Sequence, residues 1–290
     1  MHEINNKIQA ASHSGAQLKI ENRADGYMVK KTITDGIERN HLAALKQQAF
    51  TPISTNTYII SSIPIIEISQ SKSSLNVVMP YIEGIGGEQI AYKGSKAIAK
   101  NLKSALNFYL INAVSESNDG HYPIQNVLEK IIDIKAKLNN KWSLFPDLVK
   151  HIATLENYCS KDLELPIGLC HGDLTLSNIK ITQDNYLMLF DFLECDINSP
   201  LQDAAKLVQD FEYGWSFRKE KESARVKGYI FCEHAKPSFI DTLNRIYHYE
   251  MRVIEVLTIL RIAPYIQEND DITINWFNRV ITKSIKKITG

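Results

Sequence analysis

Long apolar runs are missing from this chain of 290 residues. The greasiest stretches, 57–68 and 253–266, are broken by Pro, Glu or Arg. Both fall short of the ~20 apolar residues that a bilayer-spanning helix needs. The opening Met1-His2-Glu3-Ile4-Asn5-Asn6 has no basic cap followed by an apolar core, so no secretory signal is expected. Cysteine is scarce: Cys159, Cys170, Cys195 and Cys232 lie scattered, with no CxxC and no metal-finger spacing. Buried, reduced thiols in a cytoplasmic protein are the expectation. An excess of one charge is missing as well. The 33 Lys and Arg balance 33 Asp and Glu, which argues against a general nucleic-acid binder or a protein held electrostatically at a membrane. There is no internal repeat and no low-complexity tract. What remains, 44% apolar and 23% charged residues, is an ordinary globular composition. The length allows one large domain or two modest ones with ample core.

The first third reads mostly as strand. Residues 7–11 form a short candidate, followed by the small-residue loop Ser12-His13-Ser14-Gly15. Residues 16–22 alternate Leu18 and Ile20 with polar neighbours, and Asp25-Gly26 before a third strand at 27–33 is a hairpin signal. At 37–50 the period turns helical, with Glu38, Leu42, Leu45 and Ala49 sharing one face. Strands are expected near 63–68 and 75–79. The Pro/Gly cluster from Pro80 to Gly87 is the best domain boundary, dividing the chain into 1–82 and 83–290. Beyond it, 88–115, 124–139 and 146–160 read as helices, 167–191 returns to short strands around a loop, and from Ser199 onward the chain is helical again. Ser199-Pro200-Leu201-Gln202 supplies a cap, a proline in the first turn and Gln three residues after the cap.

The chemistry is concentrated in Cys170-His171-Gly172-Asp173-Leu174-Thr175-Leu176-Ser177-Asn178 and in the strand ending at Phe190-Asp191. Asp173 and Asn178 lie five apart in a polar loop, and Asp191 ends a strand that is apolar on both faces. A carboxylate there is costly to bury without a partner or a metal. Two carboxylates and an amide oxygen make a set of hard ligands and proton acceptors, suited to Mg²⁺ bound together with phosphates. Cys170, with no separate base or orienting group, reads as a core residue rather than a nucleophile.

HGD-x₄-N followed by a strand ending in Asp resembles the aminoglycoside phosphotransferase and choline kinase group of small-molecule kinases. The resemblance implies an α+β, bilobal protein-kinase-like fold, with a small antiparallel-sheet N-lobe binding nucleotide and a larger, mainly helical C-lobe. It implies Asp173 as the catalytic Asp that orients the acceptor hydroxyl and takes its proton. It also implies Asn178 and Asp191 as ligands of two Mg²⁺ ions bridging the ATP phosphates, with His171 bracing the loop. On the third strand one lysine should hold the α- and β-phosphates, supported by a helix carboxylate. Neighbouring strand residues face opposite sides, so Lys30 and Lys31 cannot both do so. The pattern Met28-Val29-Lys30 points to Lys30, with Glu38 as its partner and Lys31 on the outer face. Ser14 falls in the place of a phosphate-covering loop. Residues 78–83 resemble the hinge that meets adenine, with Tyr81 and Ile82 as contact positions.

Gly172 stands where many protein kinases carry an Arg, and 192–199 leaves no room for a long activation segment. Both argue for a constitutive small-molecule enzyme. Glu194, one place later than the acid of many relatives, reads as a solvated loop residue. Ser199-Pro200-Leu201-Gln202-Asp203 resembles the family's P-x-x-D helix opening, where the Asp supports the catalytic loop. Residues 209–215 could bind a sugar or pack as a helix end, and Arg252 and Arg261 face either the cleft or a buried acid. The basic end 283–287 reads as a solvated helix face. The stretch DFLE…SPLQDAAKLVQD also looks like kinases of bacterial capsule or lipopolysaccharide biosynthesis, tilting the acceptor towards a sugar or polyol. The expectation is thus a kinase acting on ATP and a small sugar-like or amino-alcohol hydroxyl acceptor. The rival readings are a nucleotide-binding pseudokinase scaffold and a protein Ser/Thr kinase.

Overall fold

A computed structural model describes residues 16–289; the strand expected at 7–11 and the loop carrying Ser14 lie outside them. Strands β1 (Gln17–Arg23) and β2 (Gly26–Ile33) form the expected antiparallel hairpin. Gly26 leaves the turn with φ 110°, a conformation that side chains resist and glycine accepts. Helix α1 (Ile37–Gln48) follows, then β3 (Ile53–Ser54), β4 (Ile59–Ser62), β5 (Glu67–Gln70) and β6 (Leu75–Pro80). One antiparallel sheet has the order β1-β2-β6-β5. Its inner face supplies Ile33, Leu75 and Val77 to a small core that Ala44 of α1 and Ile65 complete.

The face that α1 buries is not the one expected from its period. Leu42 and Leu45 are 48% and 43% exposed, whereas Ala43, Ala44 and Gln47 are buried. The small side chains let the helix approach the sheet, and Gln47 Nε2 donates to the Ile63 carbonyl at 2.8 Å. The strand expected at 63–68 is also divided differently. β4 ends before it and β5 begins within it.

After Pro80 come β7 (Ile85–Gly86), α2 (Glu88–Lys93), α3 (Lys96–Ser115), β8 (Asn118–Tyr122), α4 (Ile124–Leu138), α5 (Leu148–Tyr158) and β9 (Leu163–Ile167). Then follow β10 (Ile179–Ile181), β11 (Tyr186–Leu189) and the helices α6 (Pro200–Phe211), α7 (Glu222–Ala235), α8 (Phe239–Ile246), α9 (His248–Leu260) and α10 (Asp271–Thr289). A second sheet, β3-β4-β11-β10-β7, draws on both halves of the sequence, because β4 pairs in parallel with β11. Ile60 on β4 is accordingly fully buried in the large helical core, with Leu102, Leu187 and Leu201. The arrangement is α+β, a small antiparallel sheet with one helix followed by a mainly helical region, as expected. The opening of α6 is also as read, with Ser199 Oγ accepting the Leu201 N–H at 3.2 Å and Pro200 in the first turn. Among the described residues, no helix is long and apolar enough to cross a membrane.

Candidate active site

Helix α6 organises the loop between β9 and β10. Asp203, Lys206 and Asp210, at helical spacing, present one face to it. Asp203 is fully buried. Its Oδ2 accepts the His171 N–H and the Tyr109 hydroxyl, both at 2.7 Å, and its Oδ1 accepts the Gly172 N–H at 2.7 Å. Two turns further on, Asp210 accepts the Leu176 N–H and both the N–H and the hydroxyl of Ser216. Between them Lys206 Nζ lies 2.9 Å from Asp173 Oδ1. Backbone donors that would otherwise be orphaned in a buried loop are thereby satisfied.

His171 is fully buried. Its Nδ1 accepts the Asp173 N–H at 3.2 Å, which leaves Nε2–H to donate to the Phe190 carbonyl at 2.9 Å. Burial pushes its pKa down, so the ring is a neutral brace between the loop and the segment leading to Asp191. It also stacks on Phe192, with ring centroids 4.2 Å apart. Gly172 has φ +85°, and a Cβ there would come within 2.4 Å of Cys195 Sγ and 2.6 Å of the Leu193 carbonyl oxygen. Glycine stands here because the loop 191–199 passes too close for any side chain.

Asp173 itself is partly exposed. Burial pushes its carboxyl up, but the Lys206 ammonium outweighs this and holds its pKa below the ordinary value. Asn178 Nδ2 donates to the Asp173 carbonyl at 2.8 Å and to Oδ2 at 3.0 Å. The antiparallel pairing of β10 with β11, Ile179 opposite Leu189, brings Asn178 and Asp191 to the same end of the sheet. The Phe190 N–H donates to the Asn178 carbonyl at 3.2 Å. Asp191 sits at φ 56°, a left-handed conformation that costs a non-glycine residue energy and clusters at functional sites. Its Oδ1 lies 2.8 Å from Lys31 Nζ, joining strand β2 to the end of β11. Among the described residues no group of three or more His, Cys, Asp or Glu could hold a metal. The Asp191 carboxylate and Asn178 amide oxygen instead suit an ion that takes one or two protein ligands and completes its shell with phosphate and water, as Mg²⁺ does.

The lysine facing this site is therefore Lys31, not Lys30. Lys30 lies on the other face of β2 and lines a shallow groove with Thr32, Lys19 and Glu21. Glu38 is exposed in the first turn of α1 and not on its buried side, so the expected helix carboxylate beside Lys30 is absent from that face. The reason is the rotation of α1 described above. What α1 sends to the site is cationic. Arg39 donates twice to the Glu194 carbonyl, at 2.9 and 2.8 Å, and Lys46 Nζ reaches the Leu193 carbonyl at 3.0 Å and Asn198 Oδ1 at 3.2 Å. The buried thiols of Cys170 and Cys195, 3.7 Å apart, lie beside that ammonium. In the segment after β6, the Tyr81 N–H donates to the Tyr27 carbonyl at 2.8 Å, and the Ile82 carbonyl accepts Lys180 Nζ at 2.6 Å.

Arg39, Lys46, Lys206 and Tyr109 carry much of this geometry, and no motif in the sequence singles them out. Lys206 alone had a signal, its spacing of three from Asp203. The stretch 209–215 is a packed helix end: Gln209, Asp210, Phe211 and Tyr213 are buried. Trp215 lies under the Arg218 guanidinium, 3.6 Å from the ring centroid, and against Trp276. Arg252 faces a buried acid, 3.7 Å from Glu255 Oε2. Lys287 is no solvated end. Its Nζ lies 2.8 Å from Glu212 Oε2 and 2.9 Å from Glu255 Oε1.

An α+β chain with this loop, this strand end and this lysine has the layout of a phosphoryl-transfer protein. The sequence model of the Phosphotransferase enzyme family matches residues 76–255, more than half of the chain, and the chain belongs to that family. No curated protein sequence matches it. Similar solved structures include the choline kinase LicA from Streptococcus pneumoniae, with 14% identity, 98% of this chain and 99% of that chain covered, and a TM-score of 0.49. The ADP-bound aminoglycoside phosphotransferase APH(2'')-Ib has 15% identity, 99% and 98% coverage and a TM-score of 0.49. The spectinomycin phosphotransferase APH(9)-Ia, in complex with ADP and spectinomycin, has 13% identity, 96% and 90% coverage and a TM-score of 0.41.

Proposed function

We propose that the protein is an ATP-dependent kinase that moves the γ-phosphoryl group to a hydroxyl of a small sugar-like or amino-alcohol acceptor. The observation that carries this reading is the Asp173 carboxylate, fixed by Lys206 and Asn178 on a loop tied to α6, with the Lys31–Asp191 pair at the end of the hairpin that follows the loop. Asp173 orients the acceptor hydroxyl and accepts its proton as the oxygen attacks phosphorus in line and the bond to the β-phosphate oxygen breaks. Lys31 is the cation placed to meet the α- and β-phosphates. Asn178 and Asp191 would hold two Mg²⁺ ions, which neutralise phosphate charge. Nucleotide binding falls to the region 1–82 and acceptor binding to 83–290. Catalysis is then mainly positioning and charge neutralisation.

A coupled ADP-release screen with Mg²⁺-ATP over sugars, amino alcohols and aminoglycosides tests the reading. The wild-type chain should turn over at least one acceptor class, and Asp173→Asn should lose roughly 10²–10⁴-fold in kcat. Equal turnover by Asp173→Asn would sink the enzymatic reading in favour of a nucleotide-binding scaffold. Phosphorylation of protein hydroxyls in a lysate, with no small molecule accepted, would favour a protein kinase.

A further inference from the structure

Lys206 is a buried lysine at the middle of the three loop-facing positions of a helix that otherwise offers the loop only the carboxylates of Asp203 and Asp210. Its side chain is 11% exposed, and its Nζ lies 2.9 Å from Asp173 Oδ1 and 3.3 Å from Gln209 Oε1. A lysine is seldom buried so far without a partner that holds its charge. Here that partner is the very carboxylate assigned to the acceptor hydroxyl. The two oxygens of Asp173 are held by different groups, Oδ1 by Lys206 and Oδ2 by Asn178 Nδ2 at 3.0 Å. Together these set both the position of the carboxylate and the rotation of its plane. The residues between Asp173 and Asn178, Leu174-Thr175-Leu176-Ser177, contain no cation, so the loop cannot supply this charge itself. Helix α6 supplies it from below, one turn along from the Asp203 that anchors the backbone of the same loop.

We infer that Lys206 is the positioning residue for Asp173: it fixes the carboxylate so that one lone pair of each oxygen stays open to the acceptor hydroxyl. The inference rests on the phosphotransferase reading. Proton and phosphoryl bookkeeping are unchanged by it. The hydroxyl proton goes to Asp173, the new bond is oxygen to γ-phosphorus, the broken bond is γ-phosphorus to the β-phosphate oxygen, and Lys206 keeps its protons throughout. A misplaced carboxylate harms the transition state more than the binding of ATP, because small errors of alignment weigh on the reacting atoms.

The test is a double-mutant cycle read in steady-state kinetics on the acceptor found in the screen. Lys206→Met should lower kcat by roughly 10²-fold with KM for ATP changed by less than about threefold. Lys206→Arg, which keeps the charge but moves it, should recover part of the loss. Asp173→Asn with Lys206→Met should be no slower than Asp173→Asn alone, since Lys206 acts only through that carboxylate. ADP affinity by calorimetry confirms that each variant is folded. Lys206→Met with wild-type kcat, or a double variant whose loss is the product of the single losses, overturns the inference and leaves the kinase reading intact. An active Asp173→Asn, or a wild-type chain inactive on every acceptor and in ATP hydrolysis, overturns the kinase reading and the inference with it. A Lys206→Met variant that fails to bind ADP moves the decision to Lys206→Arg and Lys206→Gln, where equal kcat in both and in wild type is the overturning result.

Discussion

At Lys30 and Lys31 one position along a strand decides which side chain meets Asp191. Alternation guarantees that only one of them can, but which face of β2 turns towards the site depends on how the sheet sits against α1 and the loop after β11. That is a tertiary fact, and a local pattern of two apolar residues before a lysine does not contain it. Lys31→Met is expected to weaken ADP binding about tenfold or more and to lower kcat, because it removes the ammonium 2.8 Å from Asp191. Lys30→Met should stay within about threefold of wild type, since its side chain lies on the groove side with Lys19 and Glu21. Calorimetric ADP titration of the two variants checks this, and the reverse order would restore Lys30 to the site. By contrast the grouping of Asn178 with Asp173 and with the Asp191 end of β11 is readable locally, because one loop and the next hairpin carry all three in a single stretch of chain.

Element by element, what was readable is what is local. The hairpin β1–β2, the capped start of α6 and the succession of helices follow from turn residues, caps and periodicity. The parallel pairing of β4 with β11 was not readable, because its partners lie more than a hundred residues apart and no local residue choice announces them. The buried face of α1 was missed for a related reason. Its leucines point outwards, and the contact with the sheet's core is made by Ala44 and Ile37. The close passage of the loop 191–199 over Gly172 is another non-local fact, and it is open to measurement. Gly172→Ala puts a methyl 2.4 Å from Cys195 Sγ on a backbone at φ +85°, so the two loops must part. A loss of at least about 2 kcal/mol in urea unfolding is expected. Gly26→Ala also has a positive φ, 110°, but nothing lies within 4 Å of its Cβ, so only the backbone preference of about 1 kcal/mol is lost. Equal losses in the two variants would show that the loop contact carries no energy.

Across the whole molecule, zero net charge conceals a strongly ordered distribution. Cations and acids are paired inside the helical region, and two acids at the end of α6 have their pKa values shifted in opposite directions. Burial pushes the carboxyl of Asp210 up to about 6. An acid raised in the fold favours the protonated state there, so its contribution makes the protein less stable as pH rises from about 4 to 6. For Glu212 burial also pushes upward, but the ammonium groups of Lys287 and Lys236 outweigh it and hold the carboxyl at about 2, below its ordinary 4.5. A depressed acid contributes stability that is complete above the unfolded value and is lost as pH falls through the folded one. The size of that contribution is at most about 3 kcal/mol, for a side chain 22% exposed. Because Lys287 belongs to the last turn of α10 and Lys236 follows α7, this pair network closes the C-terminal helix onto the end of α6. Urea unfolding of wild type and Glu212→Gln from pH 7 to pH 2.5 separates the two acids. The stability gap between them should be constant above about pH 5 and narrow steadily below 4.5, where Glu212 of the unfolded chain takes up a proton that the folded chain does not. Asp210→Asn should instead flatten the wild-type slope between pH 4 and 6. A gap between wild type and Glu212→Gln that stays constant down to pH 2.5 would mean that Glu212 is not held ionised by its lysines. The closure of α10 would then rest on the apolar packing of Trp276, Phe277 and Val280 rather than on charge.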